Sequence, residues 1–146
     1  MPVTNIHLIY PMCVMVFLSV VVLLVMFRRR VNAVMTGQTK MAHYKTFSVG
    51  QVPEEALQAA RHFSNLFEIP VLFYAACIVG MILPVQGMTL VVLAWLFVAA
   101  RVVHAFIHLS YNKVYHRMSA FFTSVVLVTA MWAMILFTAL SASAAS

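Results

Sequence analysis

Four long apolar stretches divide the chain, at Ile6–Phe27, Glu55–Leu83, Met88–Tyr111 and Met118–Leu140. A helix rises about 1.5 Å per residue, so each stretch is long enough to cross a hydrocarbon core of about 30 Å. The polar positions inside these stretches are few and grouped. Arg61, Asn65 and Glu68 lie in the second, and Arg101, His104 and His108 in the third. A charge at the bilayer centre costs about 2.5–3.5 kcal/mol on the mildest scale, so these residues are expected to face a protein-lined or wet cavity.

The punctuation between stretches predicts the order of the helices. Pro53-Glu54-Glu55 is a helix start signal, a proline followed by two acids. The four-residue connection from Pro84 to Gly87 makes the second and third helices antiparallel neighbours, and the third is expected to end near Asn112-Lys113. Pro11 lies one turn into the first helix, where its missing N–H does little harm.

Composition fixes the class. With 64% hydrophobic and 8% charged residues, the chain has too little polar surface to cover a soluble globule. The fold expected is all-α and integral to the membrane, a single four-helix bundle over residues 1–146. The net charge of +6 is mostly a topology signal. Arg28, Arg29, Arg30, Lys40 and Lys45 occupy the first connection, and Lys113 and Arg117 the third. The positive-inside rule then places connections one and three in the cytoplasm and both termini on the other side. The stretch from Met1 to Phe27 has no Lys or Arg, so an uncleaved first helix is expected rather than a signal peptide. A nucleic-acid partner is not expected, because no soluble fold presents the basic residues. Cys13 and Cys77 read as buried apolar thiols.

The helical period brings the polar residues together. At 100° per residue, Arg61, Asn65 and Glu68 fall within about 60° of one another. Arg101, His104, His108, Tyr111 and Tyr115 follow a 3-4-3-4 spacing within about 80°. Counted from the outer turn, Glu68 and Arg101 both lie roughly 20–23 Å inward, with Asn65, His104 and His108 at roughly 24–30 Å. One polar site near the cytoplasmic interface is expected. The competing reading is that these residues only bridge helices. Three arginines, Arg61, Arg101 and Arg117, against the single deep carboxylate of Glu68 favour an anionic ligand. The i, i+4 pair His104/His108 could instead ligate a metal or haem, but it lacks the Glu of HExxH and its partner on helix 2, His62, lies off the stripe. No metal is expected.

These residues resemble a known family, the membrane-associated proteins in eicosanoid and glutathione metabolism (MAPEG). Its second-helix signature, Arg-x-x-x-Asn-x-x-Glu followed by Pro, reads here Arg61-His62-Phe63-Ser64-Asn65-Leu66-Phe67-Glu68, with Pro70 just after. Its third-helix pattern is matched by Arg101-Val102-Val103-His104, then His108 at a position usually Tyr, and Arg117. The resemblance covers the whole chain. It implies a homotrimer with glutathione as co-substrate, bound at subunit interfaces. By residue, it implies that Arg61, Asn65 and Glu68 hold the peptide's backbone, carboxylate and amine. Arg101, His104, His108 and Tyr111 would complete the pocket, and Arg117 would stand by the thiol as the catalytic residue. Which of Arg28, Arg29 and Arg30 reaches the site is not assigned by it.

The chemistry such a site must supply is definite. A free thiol has a pKa of about 8.5, and lowering it by two units takes roughly 2.7 kcal/mol of preferential thiolate stabilisation. The leading expectation is a membrane-bound glutathione transferase acting on apolar electrophiles that enter from the bilayer, with peroxidase activity toward lipid hydroperoxides as the related chemistry. Two other readings stand beside it: a non-catalytic lipid-binding or scaffolding member of the same family, and a His-ligated redox membrane protein.

Overall fold

The computed structural model describes residues 6–46, 51–83, 85 and 88–144. Within them the chain is helical: α1 (Ile9–Met35), the short α2 (His43–Thr46), α3 (Glu54–Asn65), α4 (Ile69–Ile82), α5 (Thr89–Leu109) and α6 (Val114–Ala144). Four spans are long and apolar enough to cross a membrane: Ile6–Met35, Glu54–Ile82, Thr89–Leu109 and Val114–Ala144. The connection expected from Pro84 to Gly87 lies, apart from Val85, outside the described residues.

The first span runs eight residues beyond Phe27, where the apolar pattern stops. Arginine is a good helix former, and Arg29 is fastened to the bundle. Its guanidinium donates from Nη1 to the Glu55 carbonyl (3.1 Å) and from Nη2 to the Leu109 carbonyl (2.7 Å). The second bond caps the C-terminal end of α5 with a cation, the favourable sign for that end of a helix. The helix stops at Gly37, whose φ of 73° supplies the left-handed residue of the cap. Thr39 N–H returns to the Ala33 carbonyl (3.0 Å) and Gly37 N–H to the Val34 carbonyl (3.0 Å).

The second span is not the continuous helix expected from Glu55 to Leu83. It breaks between α3 and α4, at Leu66–Phe67–Glu68. Pro70 has no N–H and its ring crowds the carbonyl four residues earlier, so the α-helical ladder cannot pass through it. The chain tightens instead to i→i−3 bonds, with Leu66 N–H to Phe63 O (3.1 Å), Phe67 N–H to Ser64 O (3.0 Å) and Glu68 N–H to Asn65 O (3.4 Å). The break sits inside the motif.

The third span ends at Leu109, two residues short of Tyr111, where Asn112 turns the chain with a φ of 49°. The fourth spans Val114–Ala144, longer at both ends than the expected Met118–Leu140, since Val114-Tyr115-His116-Arg117 and Ser141-Ala142-Ser143-Ala144 continue the helix without a sustained apolar signal.

Helix α5 lies at the centre, packed against α6, α3, α1 and α4. Phe73 of α4 stacks on Phe97 of α5, with ring centroids 4.4 Å apart and planes at 4°. Trp132 of α6 donates Nε1–H to the Leu72 carbonyl (3.1 Å), tying α6 to α4. The outward faces carry exposed large apolar side chains, among them Phe17, Leu24, Phe122 and Phe137, which suits a lipid surrounding.

Candidate functional site

Helix α3 has two polar faces rather than one. Gln58, His62 and Asn65, at i, i+4 and i+7, turn toward α5 and meet it in antiparallel order. Gln58 donates Nε2–H to the His108 carbonyl. The His62 ring lies against His108 and His104, at centroid distances of 4.9 and 5.3 Å. Asn65 Oδ1 accepts from Arg101 Nη2 at 2.6 Å. Arg61, Ser64 and, past the break, Glu68 lie on the outer side of this seam and face a cleft.

The cleft measures about 480 Å³ and opens between α3, α5 and α6. Arg61, Asn65 and Glu68 form one wall, and His104 and His108 of α5 form its floor. Arg117, in the first turn of α6, closes the other side with Met118 and Phe121. Behind the floor Arg101 is fully buried (0% exposed). It reaches the cleft through a relay: Arg101 Nη2 donates to Asn65 Oδ1, and Asn65 Nδ2 donates to Glu68 Oε2 at 3.1 Å. The helix break contributes to it, because the Asn65 carbonyl, which accepts from Glu68 N–H (3.4 Å) instead of from the residue four on, also stands 3.5 Å from the same Arg101 Nη2. A fixed cation thus orients an amide, and the amide orients a carboxylate at the cleft wall.

Six of the residues singled out in the sequence (Arg61, Asn65, Glu68, His104, His108 and Arg117) therefore line one cleft, and Arg101 supports it from behind. Tyr111 does not join them. It lies past the end of α5, is half-exposed, and shares a hydrogen bond with His116 Nδ1 (3.1 Å). Arg117 is steadied by donating Nη1–H to Asn112 Oδ1 at 2.8 Å. A cation in the first turn of a helix opposes the macrodipole, so an anion in the cleft would relieve it as well as pair with it.

Sequence reasoning missed His62, which is 0% exposed and contacts both cleft histidines. The signal was the 58–62–65 spacing, an inner stripe hidden beside the charged one at 61–65–68. Among the described residues no group of three or more His, Cys, Asp or Glu is arranged to hold a metal ion. An apolar groove of about 380 Å³ beside the end of α1 has Arg30 as its one charged wall among the described residues, whereas the polar cleft gathers the charged and titratable groups.

The model of the MAPEG family matches residues 8–137, nearly the whole chain. No curated protein and no solved structure gives a significant match. The match takes in every residue of the cleft, the second and third spans entire, and most of the first and fourth. The chain therefore belongs to the MAPEG family, as an integral, multi-pass membrane protein with a family-level role in glutathione and eicosanoid metabolism.

Proposed function

We propose that the protein is a membrane-bound glutathione transferase in which Arg117 stabilises the glutathione thiolate. The observation that carries this reading is the Arg101–Asn65–Glu68 relay, which holds a carboxylate at the cleft wall while leaving Arg61 and Arg117 to face the same space. A zwitterionic peptide with an amine, two carboxylates and a thiol matches that set. Glu68 grips the amine, Arg61 and Asn65 take carboxylate and backbone groups, and Arg117 faces the sulfur.

Met118 and Phe121 give the wall beside Arg117 an apolar surface. An apolar electrophile entering laterally from the bilayer meets the thiolate there. Sulfur attacks the electrophilic carbon, the leaving group departs with the bonding pair, and the thiol proton passes to water. With a lipid hydroperoxide the same thiolate attacks the terminal oxygen, and the O–O bond breaks with its electron pair on the lipid oxygen. That oxygen takes up a proton and leaves as an alcohol, and a second glutathione converts the resulting sulfenic acid to glutathione disulfide and water. The planar, permanently charged guanidinium suits this task, because its charge is not lost to deprotonation. The active assembly is a homotrimer with the cleft at a subunit boundary, both chain termini on the non-cytoplasmic side.

The test is conjugation of glutathione to a chlorinated nitroaromatic by the purified, detergent-solubilised protein, followed with thiolate absorption in the ultraviolet. Turnover with a glutathione-dependent thiolate band is expected. A protein that neither binds glutathione nor conjugates it overturns the reading.

A further inference from the structure

The end of α1 stays apolar on one face after the span's apolar pattern has stopped. Phe27, Arg30, Val31, Val34 and Met35, at i, i+3, i+4, i+7 and i+8, share that face. The chain then turns at Gly37, and Met41 and Tyr44 complete the wall of the groove of about 380 Å³. The returning segment is fastened in place. Thr39 is buried and donates Oγ1–H to the Gln51 carbonyl (3.2 Å), and His43 is buried as well.

The groove is apolar at a depth where the bilayer no longer is. At about 1.5 Å per residue Phe27 and Met35 stand about 12 Å apart along the helix axis, against an interfacial layer roughly 5–8 Å thick. Met35 is 81% exposed and Met41 66%, so this wall has no protein cover. An exposed apolar patch with a polar rim marks a binding surface. The charge of the rim has one sign. Arg30 stands with its guanidinium carbon 5.4 Å from the centre of the Tyr44 ring, and the exposed Lys40 and Lys45 adjoin Met41 and Tyr44. Stacking engages the face of a guanidinium and a phosphate engages its edge, so the Tyr44 contact orients Arg30 for an anion. The three acids of the chain lie elsewhere. Glu54 and Glu55 face a cleft beside Arg29, and Glu68 faces the polar cleft.

We propose that this groove binds one anionic phospholipid per chain, with the phosphate on Arg30 and the glycerol esters and upper acyl chain against the apolar wall. In the orientation proposed above, this end of α1 meets the cytoplasmic leaflet, the one rich in anionic lipid. A zwitterionic lipid offers the same chain and phosphate but brings a cation of its own toward Arg30, Lys40 and Lys45. A second copy of the chain is the poorer occupant, since it has three acids and each already lines another cleft. The bound lipid ties the returning segment to α1 and seats this end of the span at a set depth.

The test is native mass spectrometry of the full-length protein in mild detergent, supplied with phosphatidylglycerol or phosphatidylcholine of identical chains. One phosphatidylglycerol per chain should be retained, bound about tenfold more tightly than phosphatidylcholine. Arg30→Gln should erase that preference. Met41→Gln, which removes apolar wall and no charge, should weaken both lipids together. Arg28→Gln loses the same charge outside the groove, beside Glu55, and should change nothing. Glycerol phosphate, a headgroup without a chain, should not compete. Equal retention of the two lipids, equal loss in Arg28→Gln and Arg30→Gln, or competition by glycerol phosphate at the lipid's own concentration would each overturn the proposal. An assembly that holds no lipid and cross-links copy to copy through Met41→Cys would make the groove a contact between chains and overturn it too. If Arg30→Gln fails to fold, the two lipids on the native protein and on Met41→Gln decide.

Discussion

At the scale of single residues, the division of labour within the cleft makes two substitutions informative. Glu68 is held by Asn65 rather than by a direct contact with Arg101, so a glutamine there still offers an acceptor to the Asn65 amide. Glu68→Gln should therefore leave the thermal melt nearly unchanged and weaken glutathione binding by the value of one charge-assisted hydrogen bond, about 1.5–3 kcal/mol. Calorimetric titration beside a melt reads both, and a collapsed melting temperature with native affinity would make Glu68 a structural group. Arg117→Ala should do the reverse of Glu68→Gln, keeping affinity and lowering turnover by about tenfold to a thousandfold as thiolate stabilisation is lost. Arg117→Lys should recover only part of that, since a flexible ammonium lacks the planar fork. A lysine variant with full activity and a normal thiolate band would reduce Arg117 to a topological charge. The charged members of this site were legible in the sequence because charge inside an apolar run has few innocent explanations. His62 was not, because its partners lie on another helix and only the packing of α3 on α5 brings them within reach.

Among the elements, the broken second span is the one that shapes the site. The apolar pattern gave no hint of where the ladder fails, since Leu66, Phe67 and Ile69 are as hydrophobic as their neighbours. Pro70 enters the sequence reading only as part of the motif, and its consequence, a tightened turn that sets the Asn65 carbonyl 3.5 Å from Arg101 Nη2, comes from the structure. Pro70→Ala restores an N–H that can bond to the Leu66 carbonyl, so α3 and α4 should fuse. The change in stability should stay within about 1 kcal/mol, because the lost rigidity of the unfolded chain and the gained hydrogen bond oppose each other. Glutathione affinity should fall about tenfold, a difference of about 1.4 kcal/mol, as Glu68 turns from the wall. Titration checks it, and undiminished affinity would show that the break is dispensable. The ends of α1 and α6 escaped the sequence for a simpler reason. Helices continue wherever side chains tolerate them, and hydropathy marks the membrane rather than the helix.

For the whole molecule, the open side of the cleft is the surface that the proposed trimer would cover. Arg61 and Glu68 are exposed on a single chain, inside a span that crosses the membrane. Lipid facing them would incur a cost that reaches about 2.5–3.5 kcal/mol per charge at the bilayer centre on the mildest scale and is smaller toward the interface. In the proposed trimer a neighbouring copy would remove it. The mass of the protein in mild detergent should correspond to three chains of 16.3 kDa, and a persistent monomer that still turns over substrate would refute assembly at the cleft. The four-span count was fully legible, because about 20 apolar residues in a row admit little else.

The arginine triplet, finally, is a single unit to any rule that counts charges, yet the helix deals its members to three separate destinations. Arg28 points outward, Arg29 clasps α3 and α5, and Arg30 lies 5.4 Å from the centre of the Tyr44 ring. To a rule that counts charges the three votes are equal, while the fold puts each to a different use. Arg28 can be exchanged for lysine without consulting the rest of the chain, and the middle arginine cannot.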